Sequence, residues 1–310
     1  MTQEPYLQRL TGELVDRMEK LPEVWLERHR RWLRANQNRD GGFSGREGPS
    51  DLYYTGFALR ALAITQGLTQ EIANRSAQYL QTRMVQSATL IDLFSFLVSS
   101  FFVQLGGGPD LLNQAQKDWP LRLGNLLEGF RSPDGGYAKE QQGKSGSTYH
   151  TFLALLLMQL CQQEVPQADR IVSFVLNRNR EDGGFVEVDA MQRSGTNPTA
   201  AGVGTLQILG ALTPEIKEKV IAFLMRSQSE FEGGFRANER IPSADLLSTF
   251  TSCWTLEQLG ALRDLDESNI RSFCQAVESP HGGFRAGLWD QQIDVEYTFY
   301  GLGVIGLLAR

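Results

Sequence analysis

The sequence has few of the residues that build disulfide frameworks, metal clusters and basic binding surfaces. It contains three cysteines and three histidines in 310 residues, and its formal net charge is −6. An odd number of cysteines without metal-type spacing predicts no disulfide framework and is typical of a protein kept in a reducing compartment. An acidic chain without a basic cluster excludes nucleic acid as an expected partner.

Long apolar runs are also missing from the chain. The most apolar stretch covers residues 90–105, and it contains Asp92 and several serines. A membrane-spanning helix needs about 20 consecutive apolar residues, so we expect no transmembrane segment. The first residues are polar and include early acids, which is not the pattern of a targeting signal. These features predict a cytoplasmic protein.

The chain does contain a repeat. Two glycines followed by an aromatic residue occur five times, and the first glycines are 94, 48, 50 and 49 residues apart. Because the first spacing is nearly twice the others, we expect six units, one of which has lost its glycines. A fixed period of this size indicates a repeat architecture. The five copies begin at Gly41, Gly135, Gly183, Gly233 and Gly282.

Each unit predicts two helices of different character. A residue such as Asp294, suited to cap a helix, is followed four positions later by Thr298 and then by a segment that is apolar on all sides. In the unit without glycines, we assign the capping position to Asp92. The second helix of a unit is apolar on one side only. One-sided segments occupy residues 167–178, 213–228 and 266–277.

Six helices buried on all sides and six with a solvated side predict an inner ring wrapped by an outer ring. The expected fold is therefore all-α, an α6/α6 barrel (α/α toroid), although an open solenoid of helix pairs would satisfy the same pattern. We expect a single domain over residues 1–310, with repeats of about 48 residues and an N-terminal helical extension at residues 1–22.

In such a barrel, the inner helices would begin around one cavity mouth. Free N–H groups and the positive ends of helix dipoles favour an anion at this place. Basic residues in the loops before the inner helices are expected to converge on the rim. They are Arg46, Lys144, Arg193, Arg236, Arg240 and Arg285.

Aromatic residues cluster in the first turns of the inner helices, which predicts a deep apolar cavity. A cavity of this kind with a cationic rim fits a ligand that has a long unsaturated hydrocarbon tail and an anionic head. The predicted tail-binding residues are Tyr53, Tyr54, Tyr149, Phe250, Trp254 and Tyr300, and the predicted head-binding residues are Arg193, Arg236, Arg240 and Arg285.

The repeat, the segment ERIP at 239–242 and the Asp-x-x-x-Thr helix starts resemble the β subunit of protein prenyltransferases, above all the Rab geranylgeranyltransferase type. The squalene–hopene cyclases share the repeat. The likeness covers nearly the whole chain. It implies an isoprenoid diphosphate as ligand and a helical α-subunit-like partner, with a homodimer as the alternative.

The resemblance also implies a zinc site, but this chain departs from it. The family holds zinc with an Asp, a Cys and a His; Asp245 is present, whereas Leu247 and Tyr297 occupy the other two positions. Leucine cannot bind a metal and tyrosine is a poor substitute for histidine. We therefore expect no zinc, and magnesium only together with a diphosphate. The family's diphosphate-binding Arg and Lys have counterparts in Arg236 and Arg240.

Three functions remain open at this stage. The first is transfer or other processing of a prenyl group without the family's zinc ligands. The second is a protonation-initiated cyclase, in which Glu296 occupies the position of the cyclase general acid; the resemblance implies that such cyclases usually need a second barrel domain. The third is a non-catalytic isoprenoid or lipid binder. Apolar walls argue against a paired-carboxylate glycosidase. The candidate catalytic residues are Asp245, Asp294, Glu296 and Tyr297.

Overall fold

The computed structural model describes residues 4–83, 89–112 and 119–309, and most of this part of the chain is helical. Its α-helices are α1 (Tyr6–Met18), α2 (Glu23–Ala35), α3 (Leu52–Ile64), α4 (Gln70–Gln81), α5 (Leu90–Leu105), α6 (Trp119–Glu128), α7 (Thr148–Leu160), α8 (Ala168–Leu176), α9 (Thr196–Ile208), α10 (Pro214–Ser227), α11 (Leu246–Gln258), α12 (Glu267–Val277) and α13 (Val295–Leu308). A short 3-10 helix (Leu262–Asp264) follows α11, and the two-residue strands β1 (Phe284–Arg285) and β2 (Ile293–Asp294) pair antiparallel before α13.

Six helices form a closed inner ring. The helices α3, α5, α7, α9, α11 and α13 contact one another in this order, and α13 returns to contact α3. The outer helices α2, α4, α8, α10 and α12 pack against this ring. The order of contacts confirms the predicted α/α barrel and excludes the open solenoid.

The glycine turns connect neighbouring units through backbone contacts. Gly183 has a φ of +88°, and a Cβ atom there would lie 2.4 Å from the carbonyl oxygen of Lys219 in the next outer helix. Only glycine tolerates this conformation and this approach. The following aromatic residue, Phe185, is buried, and its N–H donates to Thr199 Oγ1 at 2.9 Å. The threonine of the repeat therefore fixes the turn to the start of its own inner helix.

The unit without glycines begins its inner helix differently from the prediction. The N-cap of α5 is Thr89, whose Oγ1 accepts the N–H of Asp92 at 3.2 Å. The Asp92 carboxylate accepts the N–H of Thr89 in return, at 3.3 Å. This reciprocal pair is a capping box. The assignment of Asp92 as the residue before the helix was wrong, since it lies inside the first turn.

The ring closes at a seam between the first and last units. Gly282 has a φ of +102°, and a Cβ atom there would lie 2.6 Å from the carbonyl oxygen of Arg28 in α2. In the loop before α3, Arg46 donates to Asp294 Oδ2 at 3.0 Å and pairs with Asp290. The seam therefore joins residues about 250 positions apart in the chain.

The opposite end of the barrel is covered by α1, which contacts α3, α7 and α13. The Tyr6 hydroxyl accepts hydrogen bonds from Trp254 Nε1 and from Gln258 Nε2, each at 2.8 Å. Arg17 donates to the carbonyl oxygen of Leu307 at 2.6 Å. These partners lie in the later turns of inner helices, so α1 forms the floor of the barrel.

The three cysteines, Cys161, Cys253 and Cys274, are buried and unbonded. Within residues 4–83, 89–112 and 119–309, no helix has the length and apolar character needed to cross a bilayer.

Candidate active site

The barrel encloses a central cavity of about 600 Å³. Its wall combines first-turn residues of the inner helices with deeper aromatic residues, and α1 contributes Tyr6 and Leu10 from the floor. Among the tail-binding residues predicted from the sequence, five line the cavity. They are Tyr53, Tyr149, Phe250, Trp254 and Tyr300.

The sixth predicted aromatic residue, Tyr54, does not line this cavity. Its ring meets that of Tyr53 edge-on, with centroids 5.3 Å apart. It also packs closely on Gly45 in the loop before α3, where an added Cβ would meet the tyrosine ring at 2.6 Å. Tyr54 therefore supports the wall from behind and orders the loop that carries Arg46.

Glu296, in the first turn of α13, is joined to the cavity wall by a phenol. The Tyr53 hydroxyl donates to Glu296 Oε1 at 2.6 Å. Burial raises the pKa of Glu296 to about 7; the Tyr53 hydrogen bond opposes this rise, and the neighbouring Asp294 charge adds to it. In the described part of the chain, no hydrogen bond reaches Oε2. A carboxyl group in this setting holds a proton near neutral pH and has one oxygen free to donate it.

Asp294 lies two residues before Glu296 and has a structural role at the start of α13. Its carboxylate is the N-cap of α13, because Oδ1 accepts the N–H of Tyr297 at 2.9 Å. Its other oxygen is bound by Arg46 at the ring seam. Burial nevertheless raises the pKa of Asp294, and the Arg46 charge and hydrogen bond oppose this. Asp294 thus holds the first turn of α13 in place and adds negative charge near Glu296.

The residues at the family's zinc positions do not fit a metal. Asp245 caps α11, with its two oxygens accepting the N–H and the hydroxyl of Ser248 at 2.7 and 2.9 Å. The side chain of Leu247 contributes to the apolar cavity wall. Tyr297 is half-buried, and the Arg46 guanidinium lies 5.8 Å from its ring centroid. Asp245 is therefore committed to its helix, and among the described residues no group of three or more His, Cys, Asp or Glu side chains could hold a metal ion there.

A carboxyl group that does line the cavity is that of Glu187, in the loop after the glycine turn at Gly183. It accepts hydrogen bonds from the Ser147 hydroxyl and, at 3.3 Å, from the N–H of Tyr149. Ser147 Oγ also lies 2.7 Å from His150 Nδ1. Because the serine proton goes to the carboxylate, the histidine donates from Nδ1, and the three groups do not form a nucleophilic triad. Burial raises the pKa of Glu187, while both donors oppose the rise.

None of the four arginines predicted to bind the head group lines the central cavity. Arg236 donates to the carbonyl oxygen of Arg226 at 2.8 Å, and Arg285 donates to that of Ala276. Both arginines therefore cap the C-terminal ends of outer helices, where cations are favoured by the helix dipole. Arg193 and Arg240 are exposed in their loops, and Arg193 lies 3.9 Å from Glu239. Backbone carbonyls and acids compete for these side chains, which sequence spacing alone could not reveal.

Two charged cavity residues were missed from the sequence, Arg60 and Glu187. Arg60 is the charged residue in an inner helix that is otherwise apolar, and this was a usable signal. Glu187 follows a glycine turn by two residues, in a loop whose direction depends on the bridge between Phe185 and Gly195. That bridge depends on tertiary structure, so Glu187 carried no comparable signal.

The sequence matches the profile of the Prenyltransferase alpha-alpha toroid domain over residues 11–96, 77–197 and 201–310. The chain belongs to this family. A comparison with curated protein sequences found no match.

Solved structures with the same fold include enzymes of different chemistry. Protein geranylgeranyltransferase-I of Candida albicans, solved with GGPP, superposes with a TM-score of 0.70 at 13% identity, covering 91% of each chain. The type II terpene cyclase MstE of Scytonema, solved with its product merosterolic acid A, gives 0.60 at 13% identity over 98% of each chain. The GH76A α-1,6-mannanase of Salegentibacter gives 0.56 at 12% identity over 96% of this chain and 98% of its own. At these identities the likeness concerns the fold.

The cyclase match extends over nearly the full length of both chains. A second barrel domain was expected of a cyclase with this repeat, whereas the superposition covers 98% of the solved MstE chain.

Proposed function

We propose that this toroid is an isoprenoid-processing enzyme in which Glu296 protonates a carbon–carbon double bond of an acyclic prenyl chain and so initiates cyclisation. The observation that carries the proposal is the Glu296 carboxyl, which accepts a hydrogen bond from the cavity residue Tyr53 and has a pKa raised to about 7. A general acid works best when its pKa lies near the working pH.

The chemistry balances without a redox partner. The proton from Glu296 adds to the terminal double bond and leaves a carbocation on the more substituted carbon. The π electrons of the next double bond attack that carbon and form a ring, which moves the cation along the chain. The last cation loses a proton, and the Glu296 carboxylate recovers its proton from solvent. No zinc is required for these steps, and magnesium matters only for a substrate with a diphosphate.

The cavity wall supports such a reaction in two ways. The faces of aromatic rings attract cations, and Phe250, Trp254 and Tyr300 offer such rings along the cavity. The apolar wall also keeps water from the cation, which would otherwise be captured as an alcohol. Phe250 and Tyr300 are 5.5 Å apart between centroids, so the rings form a continuous surface.

Prenyl transfer, to which the sequence resemblance points, is the second candidate. The superposition on protein geranylgeranyltransferase-I favours a prenyl chain as ligand. Against the transferase chemistry, Leu247 and Tyr297 replace two zinc ligands, and Arg236 turns away to an outer helix. A helical partner subunit or a homodimer belongs to this second proposal.

The test is incubation with geranylgeranyl diphosphate, geranylgeranoic acid and geranylgeraniol in D2O, followed by mass spectrometry. Cyclisation by protonation gives an isomer of changed retention that carries one deuterium on carbon. Glu296→Gln removes the proton donor while preserving size, so the cyclic product should fall by about 10²- to 10⁴-fold. A cyclic product without deuterium, or formed equally by the variant, would refute the proposal. Prenylation of added thiol peptides without any cyclic product would favour transfer instead.

A further inference from the structure

An arginine that the proposed protonation does not use lies within the barrel. Arg60 is in the third turn of α3 and lines the central cavity together with Tyr53, Tyr149 and Tyr300. Its guanidinium carbon lies 4.1 Å from the ring centroid of Phe299. A second ring, that of Phe57, is 5.3 Å away. The cation is thus enclosed by aromatic side chains.

Within the described residues, no hydrogen bond or ion pair involves the Arg60 guanidinium. Burial lowers the pKa of Arg60, although a guanidinium stays charged at any physiological pH. The side chain is only partly exposed, so solvent screens its charge incompletely. A bound anion would supply the charged hydrogen-bond partner that the two ring faces do not provide.

Two other covered arginines of the chain have carboxylate partners. The Arg178 side chain pairs with Asp134 at 2.9 Å and with Asp189 at 3.0 Å. Arg131 pairs with Glu128 at 2.7 Å. Arg236 and Arg285, which lack such a partner in the described part of the chain, donate to backbone carbonyls instead. Arg60 differs from all four because neither an acid nor a carbonyl accepts from it within the described residues.

Arg60 also lies where two apolar spaces meet. Besides the central cavity, it lines a groove of about 540 Å³ between α1, α5 and α7. Leu7, Phe102 and Leu156 contribute to that groove, and Leu7 and Leu156 also line the central cavity. An anion at Arg60 would have apolar space on both sides, as the head group of a long-chain amphiphile requires.

We propose that Arg60 binds the anionic head group of an amphiphilic substrate, a carboxylate or a phosphate, inside the barrel and away from the arginines of the rim loops. The identity of the tail as an isoprenoid rests on the proposed function. The anion site itself does not depend on Glu296. The proposal therefore restricts the substrate class from any prenyl chain to prenyl chains with a negative charge.

The test compares ligands with one tail and different heads. Wild-type protein and Arg60→Met are titrated with geranylgeranoic acid, geranylgeranyl diphosphate and geranylgeraniol, with affinity read by calorimetry. Methionine keeps much of the length and apolar volume of the side chain but removes its charge. Arg263→Met is the matched control, because Arg263 is exposed in the short 3-10 helix Leu262–Asp264. Circular dichroism and thermal unfolding establish that each variant is folded.

For the wild-type protein we expect the anionic ligands to bind at least about tenfold more tightly than the alcohol, as for hydrogen bonds to a charged group. Arg60→Met should abolish that preference with little change for the alcohol, and Arg263→Met should retain it. Arg60→Lys should keep part of it. If Arg60→Met retains the preference, or if the wild-type protein has none, the proposal is wrong.

A second ligand pair separates this proposal from the isoprenoid function. Hexadecanoic acid and hexadecanol carry saturated tails that cannot be cyclised. If the isoprenoid compounds fail to bind but hexadecanoate binds in an Arg60-dependent manner, the anion site stands and the proposed function falls. If Arg60→Met cyclises the isoprenoids as efficiently as the wild type, irrespective of their head group, the proposed function stands and the anion site at Arg60 falls. Failure of every acid to bind better than its alcohol would overturn the anion site.

Discussion

Glu187 on the cavity wall and Glu296 behind the wall residue Tyr53 differ in their supply of hydrogen-bond donors. Glu296 receives one hydrogen bond, from the phenol of Tyr53. Glu187 receives a hydroxyl from Ser147 and the backbone N–H of Tyr149. Burial raises the pKa of both, but donors stabilise a carboxylate, and Glu187 has more of them. Under the proposed function, Glu296 is therefore the better candidate for the acid, because fewer donors stabilise its carboxylate form.

The largest expected difference between the two walls is in turnover. Glu296→Gln should reduce cyclisation by about 10²- to 10⁴-fold, the usual contribution of a general acid. Glu187→Gln is the matched exchange, and it should cost much less, since an amide can still accept from Ser147. Deuterium incorporation into product measures both. If Glu187→Gln proves the more damaging, the acid must be reassigned to the Glu187 wall.

A smaller effect is expected on stability, and it requires no substrate. A carboxyl whose pKa is raised by folding from 4.5 to about 7 stabilises the fold while protonated. That contribution is complete below pH 4.5 and is lost as the pH rises through 7. At pH 8 the wild type should therefore be less stable than Glu296→Gln by about 3 kcal/mol, with almost no such difference at pH 4.5. Urea unfolding at the two pH values checks this, and a pH-independent difference would contradict it.

The smallest expected change concerns the phenol. Wild-type kcat/KM should fall as the pH rises through about 7, where Glu296 loses its proton. Tyr53→Phe removes the donor that favours the carboxylate, so the kinetic pKa should rise, by roughly one unit or less for a single hydrogen bond. Tyr54→Phe is a matched control, since Tyr54 stands behind the wall. An unchanged or lowered kinetic pKa in Tyr53→Phe would argue against Glu296 as the titrating acid.

The fold was predictable because the contacts that determine it are local in sequence and recur in each repeat. A glycine that must adopt positive φ, an aromatic residue and a threonine recur at fixed spacing, and their contacts are the same at each turn. The unit that breaks the pattern was misread for the same reason. Asp92 looked like the capping residue of its neighbours, whereas a capping box with Thr89 gives that helix a different start.

The site was only partly predictable because side-chain partners are not local. The aromatic wall followed from helix starts, which the repeat determines. The hydrogen-bond partner of Arg236 could not be predicted in this way. From its position in the loop, the side chain could equally lie at the rim or bind the end of α10. The sequence likewise could not indicate that Arg60 would lack a partner, because this depends on every helix facing it.

The seam between the first and last units has a consequence for how the chain acquires its structure. Gly282 packs on Arg28 in α2, and Arg46 reaches Asp294 across 248 positions. Contacts of such sequence separation form late, since loop closure precedes any gain from them. We therefore expect the apolar surfaces of α2 and α3 that meet the last repeat to stay exposed during synthesis until that repeat has been made. A ring of repeats thus gives up the unit-by-unit assembly open to a linear array.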